Sequence, residues 1–404
     1  MRRILLFAAT TGYQVRSFAE AARRLGIEPI LATDRCHIMQ DPWEDEAIPV
    51  RFEEPEHSAV QVVEEIARRG IRIDGVVAVA DKPTHLAAFT AARLGIPWHP
   101  PHAAGTCGNK HRMRAIFETA GLPAPHHFLA GRPHADTEYP CVLKPLGLSG
   151  SRGVIRANNK AEFVAAFGRI RKIVNDPYAP IQIEEYIPGR EFALEGLMTH
   201  GELRTLAIFD KPDPLTGPFF EETIYVTPSS EPDRVQHEII ETTRKAVRAL
   251  GLTHGPIHAE MRVNDAGVYM LEIAARPIGG LCARVLRYQT HTFEELLILH
   301  AVGHAPDELA TARRAAGVMM IPVPEAGIFE GVTGTEAARE IPGIEDVIIT
   351  AKPGEKLVPL PEGSSYTGFI FAGGSDAPFV TQSLRRAHAS LRFRVLKSLD
   401  VVGN

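Results

Sequence analysis

"IHAEMRVNDAGVYMLEIAARPIGG" (residues 257–280) reads as two short strands around a tight turn, and each strand carries one carboxylate among apolar neighbours. A three-residue turn, Asp265-Ala266-Gly267 with Gly267 left-handed, sets Asn264 opposite Val268 and carries the ladder back to Glu260 opposite Glu272. Side chains alternate along a strand, so His258, Glu260 and Arg262 then share a face with Met270 and Glu272. Like charges directly opposite one another destabilise a sheet. A cation between them removes that cost, and Mg²⁺ favours carboxylate oxygens together with substrate phosphates. A four-residue turn instead sends the two carboxylates to opposite faces, so the hairpin by itself leaves both arrangements open. Beyond Glu272, "IAARPIGG" places Arg276 just before a proline and two glycines. Its guanidinium suits a transferring phosphoryl group or a tetrahedral oxyanion, and equally one of the glutamates.

Three upstream stretches bear on what such a cation would serve. In "VLKPLGLSGSRG" (residues 142–153) a strand delivers Lys144, and Gly147, Gly150 and Gly153 with Ser149 and Ser151 make a flexible tip. Glycines present bare backbone N–H groups to an anion, and a lysine adds a point charge for phosphate. The lysine precedes the glycines, so this is not a Walker A loop; an ordinary mobile hairpin fits the same residues. "NKHRMR" (residues 109–114) puts Lys110 at a helix start, where its ammonium opposes the positive helix end unless an anion lies nearby. In "IQIEEYIPGREF" (residues 181–192) Glu184 ends an apolar strand, Tyr186 and Ile187 continue it, and Glu191 begins the next strand after a Pro-Gly turn. Such a joint offers backbone groups to a base edge and Glu191 to ribose hydroxyls; solvated strand-end carboxylates are the alternative.

The bulk numbers set the frame. A chain of 404 residues exceeds one ordinary core and points to two or three domains. Hydrophobic content of 45% and charged content of 23% belong to a soluble globular protein. A net charge of −5 argues against a nucleic-acid partner. Cys36, Cys107, Cys141 and Cys282 form no CxxC pair, which excludes a disulfide framework or zinc ribbon and fits a reducing cytoplasm. The apolar run in "MRRILLFAATTG" stops at Thr10, too soon for a signal peptide, and reads as a first buried strand. No run is long enough for a membrane span.

The first hundred residues alternate strands ("RILLFAA", "EPILAT", "DGVVAVA") with helices, which predicts a three-layer α/β domain with a parallel sheet. The loop "TTGYQ" lacks GxGxxG, and Gly12 there reads as a turn residue. "HPPHAAGTCG" has a linker's composition, "NKHRMRAIFETAGLPAP" reads as a helix, and "RVQHEIIETTRKAVRALG" as a long amphipathic one. From Val318 onward short strands alternate with two helices, "GTEAAREI" and "VTQSLRRAHASLRFRVL", as in a separate small α+β cap.

Taken in order, Lys110, Lys144 with its glycine-rich loop, "EEYIPGREF", Glu260, Glu272 and Arg276 resemble the ATP-grasp superfamily over roughly residues 1–315. The tail "GVTGTEAAREIPGIEDVIITAKPGEKLVPLP" is similar to the C-terminal domain of the L-amino-acid ligase branch. The resemblance implies an α/β and α+β multidomain protein. Residues 1–105 would form a Rossmann-like pre-ATP-grasp domain and residues 106–315 the two-part ATP-grasp domain, with a small lobe at about 115–187 and a large lobe at about 188–315. Residues 316–404 would form the C-terminal domain. It also implies roles. Lys110 and Lys144 contact ATP phosphates under a closing loop that includes Gly150, Ser151 and Gly153. Glu184 binds at the adenine amino group, the backbone of Glu185, Tyr186 and Ile187 lies beside the ring, and Glu191 holds the ribose. Glu260 and Glu272 bind Mg²⁺, with Mn²⁺ as the alternative ion. Arg276, aided by Lys144, stabilises an acyl-phosphate and the tetrahedral intermediate. Lys211 is a candidate phosphate contact, Glu222 a candidate for a substrate ammonium, and Gly279 and Gly280 candidates for the substrate side. Many members continue the second metal glutamate as Glu-x-Asn, whereas this chain has Ala274, one ligand fewer.

The implied activity is a cytoplasmic, ATP-dependent carboxylate-amine ligase working through an acyl-phosphate on small-molecule acids and amines, with a homodimer as the default assembly. No nucleic-acid or membrane partner is expected. The rivals are a phosphotransferase to a hydroxyl and a nucleotide-binding protein without turnover.

Overall fold

Strand β1 (Arg2–Ala8) is apolar on both faces, and a strand of that kind needs cover on both sides. It lies inside a parallel sheet of order β3-β2-β1-β4, with β2 (Ile27–Thr33), β3 (Ile48–Pro49) and β4 (Gly75–Val79). Leu5 and Phe7 enter one core with α2 (Pro55–Arg69) and α3 (Asp81–Leu94). Ile4 and Leu6 enter the other, with Phe18 of α1 (Val15–Arg24) and Leu296 of α8 (Phe293–Ala301). The computed structural model describes residues 1–9, 14–34, 47–133, 137–288, 290–304, 314–363 and 365–397. Gly12 of the "TTGYQ" loop and Cys36 lie outside them.

The stretch expected to be a linker folds as α4 (Pro101–Cys107). Proline is tolerated in a helix's first turn, and burial of Ala103, Ala104 and Cys107 against the N-terminal core supplies what the composition did not show. Next, α5 (Lys110–Thr119) starts at Asn109, whose side chain accepts the Arg112 N–H at 3.0 Å. The small lobe is an antiparallel sheet of order β5-β8-β6-β7, built from β5 (His127–Ala130), β6 (Cys141–Pro145), β7 (Ile155–Ala157) and β8 (Ile181–Glu185). Phe163, Phe167 and Ile170 of α6 (Lys160–Val174) cover one face.

The central sheet has eight strands in the order β13-β12-β9-β10-β11-β14-β18-β16. Its members are β9 (Arg190–Thr199), β10 (Glu202–Lys211), β11 (Ile224–Thr227), β12 (Gly255–Asn264), β13 (Gly267–Ala274), β14 (Ala315–Ile321), β16 (Ile344–Ile349) and β18 (Gly368–Gly374). Helix α7 (Asp233–Leu250) packs Ile239, Val247 and Leu250 beneath it. The C-terminal stretch does not stand apart as a cap. Pairing of Ile224 with Met319 joins β11 to β14, so β14, β18 and β16 prolong the same sheet. Beside them lie α9 (Thr335–Arg339), α10 (Ala377–Ser390) and a small sheet of β15 (Gly327–Thr333), β17 (Lys356–Leu357) and β19 (Arg392–Leu396). The expected last helix is therefore two elements. In "RFRVL" Phe393 and Val395 alternate inward against Phe329 and Leu357, a period of two that ends the helix at Ser390.

The hairpin of residues 257–280 differs from the expected one in its turn. Asn264 pairs with Gly267, so the tip is two residues, Asp265 and Ala266. Continued without a break, that register would set Leu271 opposite Glu260. The register instead shifts between Glu260 and Met261, with Met261 facing Met270 and Glu260 facing Glu272. Leu271 is the extra residue of a β-bulge, and the bulge restores the facing carboxylates that the shorter turn would have separated. Among the described residues no helix is long and apolar enough to cross a membrane.

Candidate functional site

The small lobe, the central sheet and the N-terminal unit meet at a cavity of about 390 Å³. Asp81 reaches it from the start of α3, Tyr366 from the approach to β18 and Phe369 from the strand itself. Of the candidate site residues singled out in the sequence, all but Gly147, Gly153 and Lys211 line this one cavity. Gly153 instead donates its N–H to Pro361 O at 2.9 Å, tying the glycine-rich loop to the C-terminal part. Gly280 (φ +62°) lets the Phe369 ring come close, since a Cβ there would lie 3.1 Å from it.

One wall is cationic. Lys144 ends β6 with its ammonium 2.5 Å from Glu184, whose other partners are Arg114 at 2.9 Å and Gln182 at 2.6 Å. Burial alone would raise the Glu184 carboxyl, but Arg114 and Lys144 hold it down at about 2. Burial pushes Lys144 below the ordinary lysine range, with Glu184 opposing. Lys110, at the first position of α5, has its anion: Glu272 lies 3.2 Å from Nζ, and Leu148 O of the loop accepts at 2.9 Å. Tyr186 lies between Arg156, 4.0 Å from the ring centre, and Arg262 at 5.2 Å.

The facing wall is acidic. Oxygens of Glu191, Glu222 and Glu260 lie within 4.8 Å of one another, and the ammonium of Lys211 sits among them. It is 2.9 Å from Glu191, 2.8 Å from Glu260, and bonded also to Glu222. Burial would lower Lys211, yet the carboxylates raise it well above its ordinary value. Glu222 is pushed up to about 7 by burial and by Glu260 beside it. Glu191 also accepts from Arg262 Nε at 3.0 Å. Glu260 faces Glu272 across the bulged ladder, and His258 Nε2 lies 3.5 Å from Glu260. The other nitrogen of His258 is bonded to Glu195; burial would lower this imidazole, but Glu195 raises it to about 9. A donor set made of carboxylate oxygens fits a hard divalent cation, and Ala274 on the cavity wall adds no ligand.

Arg276 leaves the end of β13 and is gripped by Asp81, with Nε to Oδ1 at 2.7 Å and Nη2 to Oδ2 at 3.1 Å. Burial would raise the Asp81 carboxyl, but Arg276 holds it below the usual carboxylate range.

Sequence reasoning missed Asp81, Arg114 and Glu195. Arg114 lies one helical turn from Lys110, and that i,i+4 spacing was a usable signal. Asp81 and Glu195 are 195 and 81 residues from Arg276, and no local pattern marks them.

Three known domain families match the chain. The ATP-grasp N-terminal domain matches residues 19–98, the ATP-grasp domain residues 137–285, and the L-amino acid ligase C-terminal domain 2 residues 319–396. The fold is similar to that of an L-amino acid ligase from Bacillus licheniformis, with a TM-score of 0.82 and 25% identity over 98% of this chain and 99% of that one. An uncharacterized protein of Sinorhizobium fredii is 25% identical over 99% of this chain and 85% of its own length. Carnosine synthase 1 of Gallus gallus is 28% identical over 79% of this chain, which spans 37% of that protein.

Proposed function

We propose, from the premise that this chain belongs to the ATP-grasp superfamily and carries the C-terminal domain of its L-amino acid ligases, that it joins a carboxylate to an amine at the expense of ATP. It is an ATP-dependent ligase forming a C–N bond, as the similarity to an L-amino acid ligase and to carnosine synthase supports. The observation that carries this reading is the cavity, where two lysines, facing carboxylates and two arginines surround a single space.

In the first step the acid's carboxylate attacks the γ-phosphorus of ATP, giving an acyl-phosphate and ADP. In the second the amine attacks the acyl carbon, and phosphate leaves from the tetrahedral intermediate. Lys110 and Lys144 stand where phosphate charge needs neutralising, and the loop residues Leu148 to Ser151 bound the same space. A divalent cation, Mg²⁺ or Mn²⁺, held by Glu260 and Glu272 with the neighbouring carboxylates, supplies charge neutralisation at the phosphoryl groups. Arg276 offers its guanidinium to the oxygens of the transferring group and to the later oxyanion. Positioning and charge then account for the catalysis, as in other phosphoryl transfers. Glu191 for ribose, the segment from Glu184 to Ile187 for adenine, and Glu222 with Gly279 and Gly280 on the substrate side complete the assignment.

A homodimer in the cytoplasm is part of this reading, and the free thiols of Cys107, Cys141 and Cys282 accord with a reducing compartment. The test is phosphate release with single amino acids and with pairs, followed by product mass. Release that requires both partners, with a product of their summed mass less water, is expected. Release with one partner alone favours the phosphotransferase, and none with any pair favours a nucleotide-binding protein.

A further inference from the structure

We infer that Asp81, on the N-terminal domain, is a positioning residue that fixes which edge of the Arg276 guanidinium faces the reacting group. The inference rests on the ligase reading for its chemistry, but its geometry stands apart. A guanidinium has five N–H donors in a rigid fork. Asp81 takes Nε–H and one N–H of Nη2, the side edge, at 2.7 and 3.1 Å. Nη1 donates to Pro277 O at 3.0 Å. One N–H on each terminal nitrogen remains, and with the side edge occupied the Nη2 hydrogen that Asp81 leaves free points along the end edge, between the two terminal nitrogens. That edge matches two oxygens of a carboxylate or phosphoryl group. Both Asp81 and Arg276 line the cavity, and the arginine side chain is 13% exposed.

Asp81 is itself held in place. It is the first residue of α3, where the helix N-terminus favours a carboxylate. It follows Ala80, whose φ of +73° is a left-handed conformation uncommon for a non-glycine residue. Ser149 of the glycine-rich loop lines the same cavity and helps to hold the Asp81 carboxyl down. The carboxylate thus bonds the large lobe's arginine from the N-terminal domain, on the wall it shares with the small lobe's loop.

The test is a double-mutant cycle on ADP formation, using whichever acid and amine support turnover. Asp81→Asn keeps the shape and removes the charge. It is expected to lower kcat about 100-fold, the order that misplacement by about 1 Å costs, with the ATP KM within about twofold. In an Arg276→Lys background the same change is expected to cost less than about threefold, because the fork it holds is gone. Equal factors in the two backgrounds, or an unchanged kcat, would overturn the inference. Asp81→Glu, which keeps the charge one methylene further out, is expected to recover part of the lost kcat; recovery no better than Asp81→Asn in a folded variant overturns it as well. A second readout needs no turnover. In protein labelled with ¹⁵N-arginine, the Arg276 Nε–H signal, assigned by its loss in Arg276→Lys, is expected to exchange slowly with solvent and to become fast in Asp81→Asn. Fast exchange in the wild type overturns the pairing. A wild type without turnover on any pair would sink the ligase reading while the exchange measurement still decides on Asp81.

Discussion

Lys211 stands where a metal ion would be expected among carboxylates, with its ammonium bonded to Glu191, Glu222 and Glu260. In the absence of a dication its ammonium offsets the mutual repulsion of three half-buried carboxylates, so ammonium and dication serve the same charges. Lys211→Met is therefore expected to lower the thermal midpoint in metal-free buffer, and Mg²⁺ is expected to stabilise the variant more than the wild type. Binding to the folded state at 100 times Kd is worth about 2.7 kcal/mol, which sets the size of shift to look for. An equal Mg²⁺ response in the two proteins would place the ion elsewhere. At this scale Lys110, Lys144, Glu260, Glu272 and Arg276 stand out in the sequence through their order along the chain, and the fold brings all five to one cavity. Their partners do not stand out. The resemblance gives Glu184 to the adenine amino group and says nothing of Arg114, Lys144 and Gln182, which bond its carboxylate here, and Asp81 meets Arg276 only through the tertiary fold.

Two elements carry the joint between the lobes and the facing glutamates. The turn Pro188-Gly189 links β8 to β9, and Asn264 beside the hairpin tip donates to Pro188 O at 2.8 Å. Gly189 has φ +128°, and a Cβ there would lie 2.4 Å from Val263 O. Backbone has to move to relieve that contact, so Gly189→Ala is expected to cost about 1–3 kcal/mol in urea unfolding, the range for strained backbone. Loss below about 0.5 kcal/mol would show that the turn relaxes freely. In the hairpin itself, the pairing of Glu260 with Glu272 was read from a three-residue turn, and it exists through a two-residue turn plus a bulge at Leu271. "NDAG" is compatible with both turns, and nothing in "YMLEI" marks a bulge, so the correct pairing came with an incorrect account of how the chain makes it. The last strand was lost for a similar reason: "RFRVL" directly continues a good helical pattern, and only its partner β15 reveals the period of two.

Across the whole molecule the N-terminal unit and the central sheet share a seam of histidines. His254 stacks on His300 with ring centres 4.3 Å apart, His200 lies 5.6 Å from His254, and His99 is bonded to Pro256 O at 3.0 Å. Burial pushes His300 down to about 3 and His99 to about 4, and lowers His254 as well. In the unfolded chain these groups take up protons near pH 6.5, whereas the folded protein keeps them neutral. Their contribution to stability is thus fully present above about pH 6.5 and is lost as the pH falls towards the folded values. The urea midpoint is expected to drop between pH 7.5 and 5, and less steeply in His300→Gln; identical slopes would exclude His300 from the effect. Alternating strands and helices made the N-terminal domain legible in sequence, but the continuity of the central sheet was not. The pairing of Ile224–Thr227 with Ala316–Met319 bridges some ninety residues, and local pattern holds no record of so distant a partner.

The proposal that joins the three scales is an acyl-phosphate formed in the cavity beside Arg276. An acid labelled with ¹⁸O in both carboxylate oxygens tests it directly, by mass spectrometry of the phosphate released as the amide forms. Because the amine attacks carbon and the bridging oxygen leaves with phosphorus, one ¹⁸O per turnover is predicted in the phosphate and one in the amide. Unlabelled phosphate, with both labels still on the acid, would contradict the account.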